Sequence, residues 1–196
     1  MLTLNFNEFP VITTERLLLR EHIMADVPKL FNLRRNAEVM QFIHRERPKT
    51  YQDIETLISS LNDGFKQGQL IAWVIALKEN PNQMIGSIGY WRTDLANHRA
   101  EIGYMLHPDY WRKGIVSEAL KATIGFGFEE IKLHSILANV SPANEASKQI
   151  LLRHGFMKEA YFKEDHYFNG EFLDSEIYGL LKQTATEAVG SFTPLK

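Results

Sequence analysis

The chain has 196 residues, 44% of them hydrophobic and 23% charged, which excludes wholesale disorder and fits a single domain with a sizeable core. Lys+Arg 22 against Asp+Glu 24 leaves a formal net charge of −2, so there is no basic excess to hold a phosphate backbone, and direct nucleic-acid binding is not expected. Cys 0 excludes disulfide scaffolds, zinc–thiolate sites, iron–sulfur clusters and cysteine nucleophiles.

The opening residues Met1 to Glu8 lack the basic start and long apolar run of a signal peptide, and no stretch approaches the ~20 apolar residues that span a bilayer. The expectation is a cytoplasmic domain without membrane contact. Residues 1–13 and 184–196 are expected as loose ends, with one domain between them. Thr14 to Arg20 (TERLLLR) suits a first strand with Leu17 and Leu19 on one face. Asp26 is placed to cap a short helix carrying Leu30, Phe31 and Arg34, with Pro28 in its first turn. Thr50 and Asp53 form a capping-box pattern, and Ile54, Leu57, Ile58, Leu61 and Phe65 keep helical spacing until Gly68.

The period then changes. Leu70 to Lys78, Met84 to Arg92 and Ala100 to His107 are β-rich runs, the first two joined through Asn80-Pro81-Asn82, and they predict an antiparallel meander. Gly114 to Glu130 returns to helix on a Val116, Leu120, Ile124, Phe128 stripe, with Gly125 and Gly127 read as sites of close helix–sheet packing. Ser135 to Val140 is a short strand, and Asn144 (N-cap) to Gly155 (stop) bound another helix. Phe156 to Phe168 and Phe172 to Leu181 form a closing hairpin about Asn169-Gly170. The order β–α–α–β–β–β–α–β–α–β–β predicts a mixed sheet flanked by helices, in the α/β or α+β class.

The segment with most chemical content is Tyr104 to Ala119 (YMLHPDYWRKGIVSEA). A strand ends near His107-Pro108, a basic turn with Gly114 follows, and a helix starts at once. Unpaired amides at a helix start carry about +0.5 of a charge, so such a turn is disposed to bind phosphate, and Arg112 and Lys113 add cationic side chains. An ordinary strand–turn–helix connection with solvated basic residues fits the same pattern. Ser147 likewise reads as a first-turn helix serine bonding its own backbone. The aromatics Trp73, Tyr90, Trp91 and Tyr104 read mainly as core, with one or two facing a cleft. The seven histidines show no metal-ligand spacing, so no metal is expected.

These residues carry a resemblance. Trp111 to Val116 is similar to the coenzyme-A-binding motif of the GNAT superfamily of N-acetyltransferases, Gln/Arg-x-x-Gly-x-Gly/Ala. AEIGYML–HPDYWRKGIVSEAL followed by NVSPANEASKQILLRHGF more closely resembles the ribosomal-protein N-terminal acetyltransferase (Rim-type) branch. TERLLLR, the Trp73 strand, and Asn144, Ser147, Gly155 and Phe156 belong to the same likeness, which spans 12–182 and leaves 1–11 and 183–196 as terminal extensions. Trp111 stands at the motif's first position, Val116 at its last, and Arg112 where that branch usually has Gly, so the Arg112 side chain is expected to point outward.

The resemblance implies a GNAT fold whose mostly antiparallel sheet splays between the strands at about 100–107 and 135–140. Acetyl-CoA is the implied cosubstrate. Its pantetheine arm is expected along the backbone of Met105 and Leu106, and its diphosphate on residues 112–117, which include Arg112, Lys113, Gly114, Ile115, Val116 and Ser117. Trp111, Asn139 and Asn144 complete the implied coenzyme contacts, and Ser147 is the implied donor to the leaving thiolate. Glu101 and His166 are the two candidates for accepting the amine proton. The implied reaction is direct acetyl transfer in a ternary complex to a primary amine, a protein N-terminus first and a small amine (polyamine, amino acid or antibiotic) second. A homodimer is compatible with the likeness. From another class, a non-catalytic acyl-CoA-binding sensor fits the departure at Arg112, and a plain interaction module is the third reading.

Overall fold

The computed structural model describes Leu4 and residues 6–183. The alternating apolar runs pair into one sheet from β1 (Ile12–Thr13), β2 (Leu17–Arg20), β3 (Ile71–Leu77), β4 (Asn80–Asp94), β5 (Arg99–Leu106), β6 (Ser135–Val140), β7 (Met157–Phe168) and β8 (Glu171–Leu181). Their spatial order is β1-β2-β3-β4-β5-β6-β8-β7, antiparallel throughout except between β5 and β6. That parallel contact is short: Arg99, Ala100 and Glu101 face Ser135, Ile136 and Leu137, and beyond Glu101 the two strands part. The expected splay is therefore present, and it starts at Glu101.

Helices cover both faces. α1 (Val27–Arg35), the one-turn α2 (Ala37–Met40) and α3 (Tyr51–Lys66) lie on one side, where Leu30, Leu33, Ile54 and Ile58 pack on Val74, Ala76 and Met84. α4 (Ile115–Glu129) and α5 (Glu145–Arg153) lie on the other, where Leu120, Ile124, Phe128 and Leu151 join Trp73, Tyr90 and Ile102. A Cβ on Gly127 would sit 2.3 Å from the Tyr90 hydroxyl, so glycine there lets α4 close on the sheet, and Tyr90 donates to the Thr123 carbonyl at 2.8 Å. Among the described residues no helix is long and apolar enough to cross a membrane.

Three expectations change. The N-terminal segment is not loose: Leu4 is buried, Phe6 and Phe9 pack against the core, and the Trp73 indole donates to the Pro10 carbonyl at 2.7 Å. Apolar side chains within reach of an uncovered sheet face are buried whether or not they are periodic. The 184–196 tail lies outside the described residues. Asp26 does not cap α1; its buried carboxylate takes both ends of the Arg20 guanidinium at 2.7 and 2.8 Å and the Ile23 amide at 2.9 Å. The β3–β4 turn is Lys78-Glu79 rather than Asn80-Pro81-Asn82, which begins β4 across a register shift. Pro81 has no amide to give, and its carbonyl receives Arg20 at 2.9 Å. The capping box at Thr50 and Asp53 and the Asn169-Gly170 turn, both residues at positive φ, form as the sequence predicts.

Candidate active site

Where β5 and β6 separate, the molecule holds a cavity of about 510 Å³ that passes through the sheet from the α4–α5 side to the α1–α3 side. Alternation along β5 assigns its walls. Tyr104 lies among the α4–α5 contacts, while Met105 packs on the α1–α3 cluster. Glu101, Gly103 and Met105, with Trp91 laid over Gly103, line the α1–α3 half. Of the four aromatics, Trp73 and Tyr90 are core, and Trp91 and Tyr104 line the cavity.

On the α4–α5 side, Asn144 caps α5, accepting the Ser147 amide at 3.1 Å. This fixes the first turn, and the Ser147 hydroxyl meets the Tyr104 hydroxyl at 2.8 Å in the cavity wall. Burial pushes the Tyr104 phenol up to about 12, against the smaller opposing effect of the Ser147 contact, so it stays protonated and able to donate. Tyr104 is a member of this pair that the sequence reading left among the aromatics. Its strand position assigns it a face, but nothing local brings α5 opposite. Asn139 also lines the cavity from β6.

The turn before α4 has the geometry of an anion site. Gly114 sits at φ 75° as the N-cap, and the first intrahelical bond is Glu118 N–H to Gly114 O. The Ile115, Val116 and Ser117 amides therefore have no intrahelical acceptor. The Ser117 hydroxyl is engaged elsewhere, 2.8 Å from Nε2 of His154 at the end of α5, a ring whose pKa is lowered by burial and by Lys121. Arg112 and Lys113 are exposed, as expected for the outward-pointing Arg112. Two residues hold the turn in place. The Trp111 indole donates to the Leu106 carbonyl at 2.8 Å. Arg16, from TERLLLR, donates to the Lys113 carbonyl at 2.9 Å while pairing with Glu118 at 2.6 Å. The role of Arg16 was invisible locally because the contact spans 97 positions.

Arg112 stands at φ 59°, in the left-handed region that a glycine adopts without strain. A side chain there costs roughly 1–2 kcal/mol, partly offset by the ~0.5–1 kcal/mol of extra chain entropy that glycine loses on folding. Arg112→Gly is therefore expected to leave stability equal or raise it by up to about 1 kcal/mol in a denaturant titration. Coenzyme affinity should change by no more than the roughly 5-fold that a screened surface charge supplies. A larger loss of affinity would assign the guanidinium itself to the diphosphate.

The two proton-acceptor candidates both line the cavity but differ in surroundings. The Glu101 carboxylate, at the root of the splay, is held by Arg92 at 3.0 Å. His166, on β7, stacks on His44 with ring centroids 5.8 Å apart, and both rings lie near Phe168. Burial and the neighbouring His166 lower the His44 pKa. Deeper in, His22 is buried with its pKa lowered to about 4, chiefly by desolvation. Its Nδ1 lies 3.2 Å from the Ala72 carbonyl and its Nε2 3.3 Å from the Ser87 hydroxyl, contacts that a neutral ring satisfies.

Known proteins match this arrangement. Residues 16–157 match the family model of the acetyltransferase (GNAT) domain. The chain is 32% identical over 174 residues to an uncharacterized N-acetyltransferase, YoaA, of Bacillus subtilis, covering 89% of this chain and 98% of that one. It is 32% identical over 97 residues to the ribosomal-protein-serine acetyltransferase of Escherichia coli, 50% of this chain and 54% of that protein. The crystal structure of a GNAT-family acetyltransferase from Bacillus anthracis superposes with a TM-score of 0.77 at 29% identity, covering 89% of this chain and 99% of that chain. With a splayed sheet and these matches, the chain belongs to the GNAT family of acetyl-CoA-dependent N-acetyltransferases.

Proposed function

We propose that the acceptor is the N-terminal amine of a protein; the E. coli relative is named a ribosomal-protein-serine acetyltransferase. The observation that carries this reading is the state of the acceptor-side bases. The Glu101 carboxylate is committed to Arg92, which leaves the stacked imidazoles of His44 and His166 as the side-chain bases of that half without a hydrogen-bond partner. An α-ammonium (pKa ~7.7–8.0) surrenders its proton at about 3.5 kcal/mol less cost than an alkylammonium near ~10.4. A site with a modest base suits the former.

In this reading the diphosphate rests on the Ile115–Ser117 amides, and the pantetheine arm follows the unpaired β5 edge near Met105. The neutral amine attacks the thioester carbonyl, forming the C–N bond as the C–S bond breaks. The amine proton passes to His166, directly or through water. Tyr104 donates to the Ser147 oxygen, which frees the serine proton to hydrogen-bond the departing thiolate.

The test supplies acetyl-CoA with peptides beginning Ser or Ala, the same peptides N-blocked but carrying an internal lysine, spermidine, free amino acids and an aminoglycoside. Free thiol is measured, and mass spectrometry locates the acetyl group. The expected product carries acetyl on the α-amine. Acetylation confined to spermidine or lysine would overturn the reading, and coenzyme binding without thiol release would favour a sensor. With the active acceptor, His166→Ala is expected to lower turnover and flatten the acidic limb of the pH–rate profile at unchanged acetyl-CoA affinity. If Glu101→Gln does this instead, the base is Glu101.

A further inference from the structure

The acceptor half of the cavity carries unpaired positive charge. Arg34, in the last turn of α1, and Arg45, beyond α2, both line it. Neither guanidinium forms an ion pair or a hydrogen bond with any described residue. Arg34 is only part-exposed, and both burial and the charge of Arg45 disfavour its cationic form. The remaining charged groups of the cavity have partners. Arg92 is paired with Glu101, and the Asp165 carboxylate accepts the Ser175 hydroxyl at 2.7 Å. The imidazoles there are His22, His44 and His166, of which the first two are pushed toward the neutral form. Arg45 is exposed, whereas the partly desolvated Arg34 guanidinium with no carboxylate of its own is costly, and a planar donor fork matches a carboxylate in two bonds.

We propose that Arg34 and Arg45 form an anion subsite that receives a carboxylate carried by the acceptor amine, so that the enzyme selects amino termini with Asp or Glu in their first positions. This rests on the N-terminal reading above but is separable from it. The shared chemistry is a carboxylate-bearing amine, and its other source is a free acidic amino acid. The same two charges repel a polycation, which sets polyamines and Lys-rich or Arg-rich termini at a disadvantage.

The experiment measures kcat/KM for three peptides matched except at positions two and three (Asp/Glu, Ala/Ala, Lys/Lys), and for glutamate and spermidine. The wild type is expected to prefer the acidic peptide over the neutral one by roughly 10-fold or more, the range for a hydrogen-bonded charge. Arg34→Gln should reduce that preference about 10-fold, acting mainly through KM, and Arg34→Lys should restore part of it. Arg35→Gln, whose residue lies over the Phe31 ring and away from the cavity wall, serves as the control and should keep the preference. Thermal melting and acetyl-CoA affinity of each variant report whether the fold survives. Equal use of acidic and basic peptides, or a preference that Arg34→Gln leaves untouched, would overturn the subsite. Acetylation of glutamate but no peptide, with Arg34 dependence, would uphold the subsite and overturn the N-terminal reading. Turnover of spermidine alone would overturn both, as would no turnover with any amine of the panel.

Discussion

Ser147→Ala is expected to lower turnover by roughly 10- to 1000-fold, the range spanned by a general acid and a single oxyanion-type donor, while the acetyl-CoA dissociation constant stays within about 2-fold. The split follows from where the hydroxyl acts. The cap of α5 is made by the Ser147 amide on Asn144 and survives the substitution, so the helix start is retained. What is lost is the hydroxyl facing Tyr104, and with it the hydrogen bond offered to a thiolate that exists only as the C–S bond breaks. The substitution also leaves the largely buried Tyr104 hydroxyl without its partner, a penalty of roughly 1–3 kcal/mol. Melting temperature should therefore fall, and kinetics belong well below the transition. Tyr104→Phe separates the two effects: it keeps the serine hydroxyl, removes the donor behind it, and should lower turnover less than Ser147→Ala. Normal turnover in Ser147→Ala with only a reduced melting temperature would make the pair purely structural.

Gly114→Val should weaken acetyl-CoA binding by at least ~10-fold, whereas Lys113→Ala should cost no more than about 5-fold, the scale of a screened surface charge. Gly114 is at φ 75°, and its Cβ would stand 3.4 Å from Nη2 of the Arg16 guanidinium, whose Nη1 fixes the turn by donating to the Lys113 carbonyl. A β-branched residue at that φ must move the backbone, which misaims the Ile115–Ser117 amides. Gly170→Ala supplies the control. Gly170 lies at φ 90° with open space about its Cβ position, so alanine there incurs backbone strain far from the turn. It should lower the melting temperature and leave coenzyme affinity unchanged in a calorimetric titration. Equal, small losses of affinity in Gly114→Val and Lys113→Ala would remove the diphosphate from this turn.

Elements set by short-range chemistry were legible from residue order. The capping box at Thr50 and Asp53, the Asn144 cap, the positive-φ glycine before α4 and the Asn169-Gly170 turn each depend on residues within a few positions, and each formed. The meander, the hairpin and the mixed sheet follow from a period of two between such signals. The misreadings came where a distant partner outcompeted a local one. Asp26 has the chemistry of a cap but meets Arg20, and a bidentate ion pair in a buried place outweighs one backbone amide. The Asn80-Pro81-Asn82 signal was absorbed into β4 because Arg20 bonds the Pro81 carbonyl. Phe6 and Phe9 carry no periodicity, yet an open patch of sheet and Phe65 partly bury them.

By itself the sequence determined the family, the splayed fold and the glycine turn that opens α4, because the order and spacing of TERLLLR, the Tyr104–Ala119 segment and Asn144–Phe156 survive in one dimension. Only the tertiary structure decided what those parts face. It set Tyr104 against Ser147 across 43 positions, tied Glu101 to Arg92, and stacked His166 on His44 with no hydrogen bond to either ring among the described residues. It also gathered Arg34 and Arg45 on the acceptor wall with no ion pair to either guanidinium among the described residues. The reason is physical: caps, turns and periodicity are energies of neighbours along the chain. The charge and hydrogen-bond balance of a cavity depends on which strands part and which helices close over the gap.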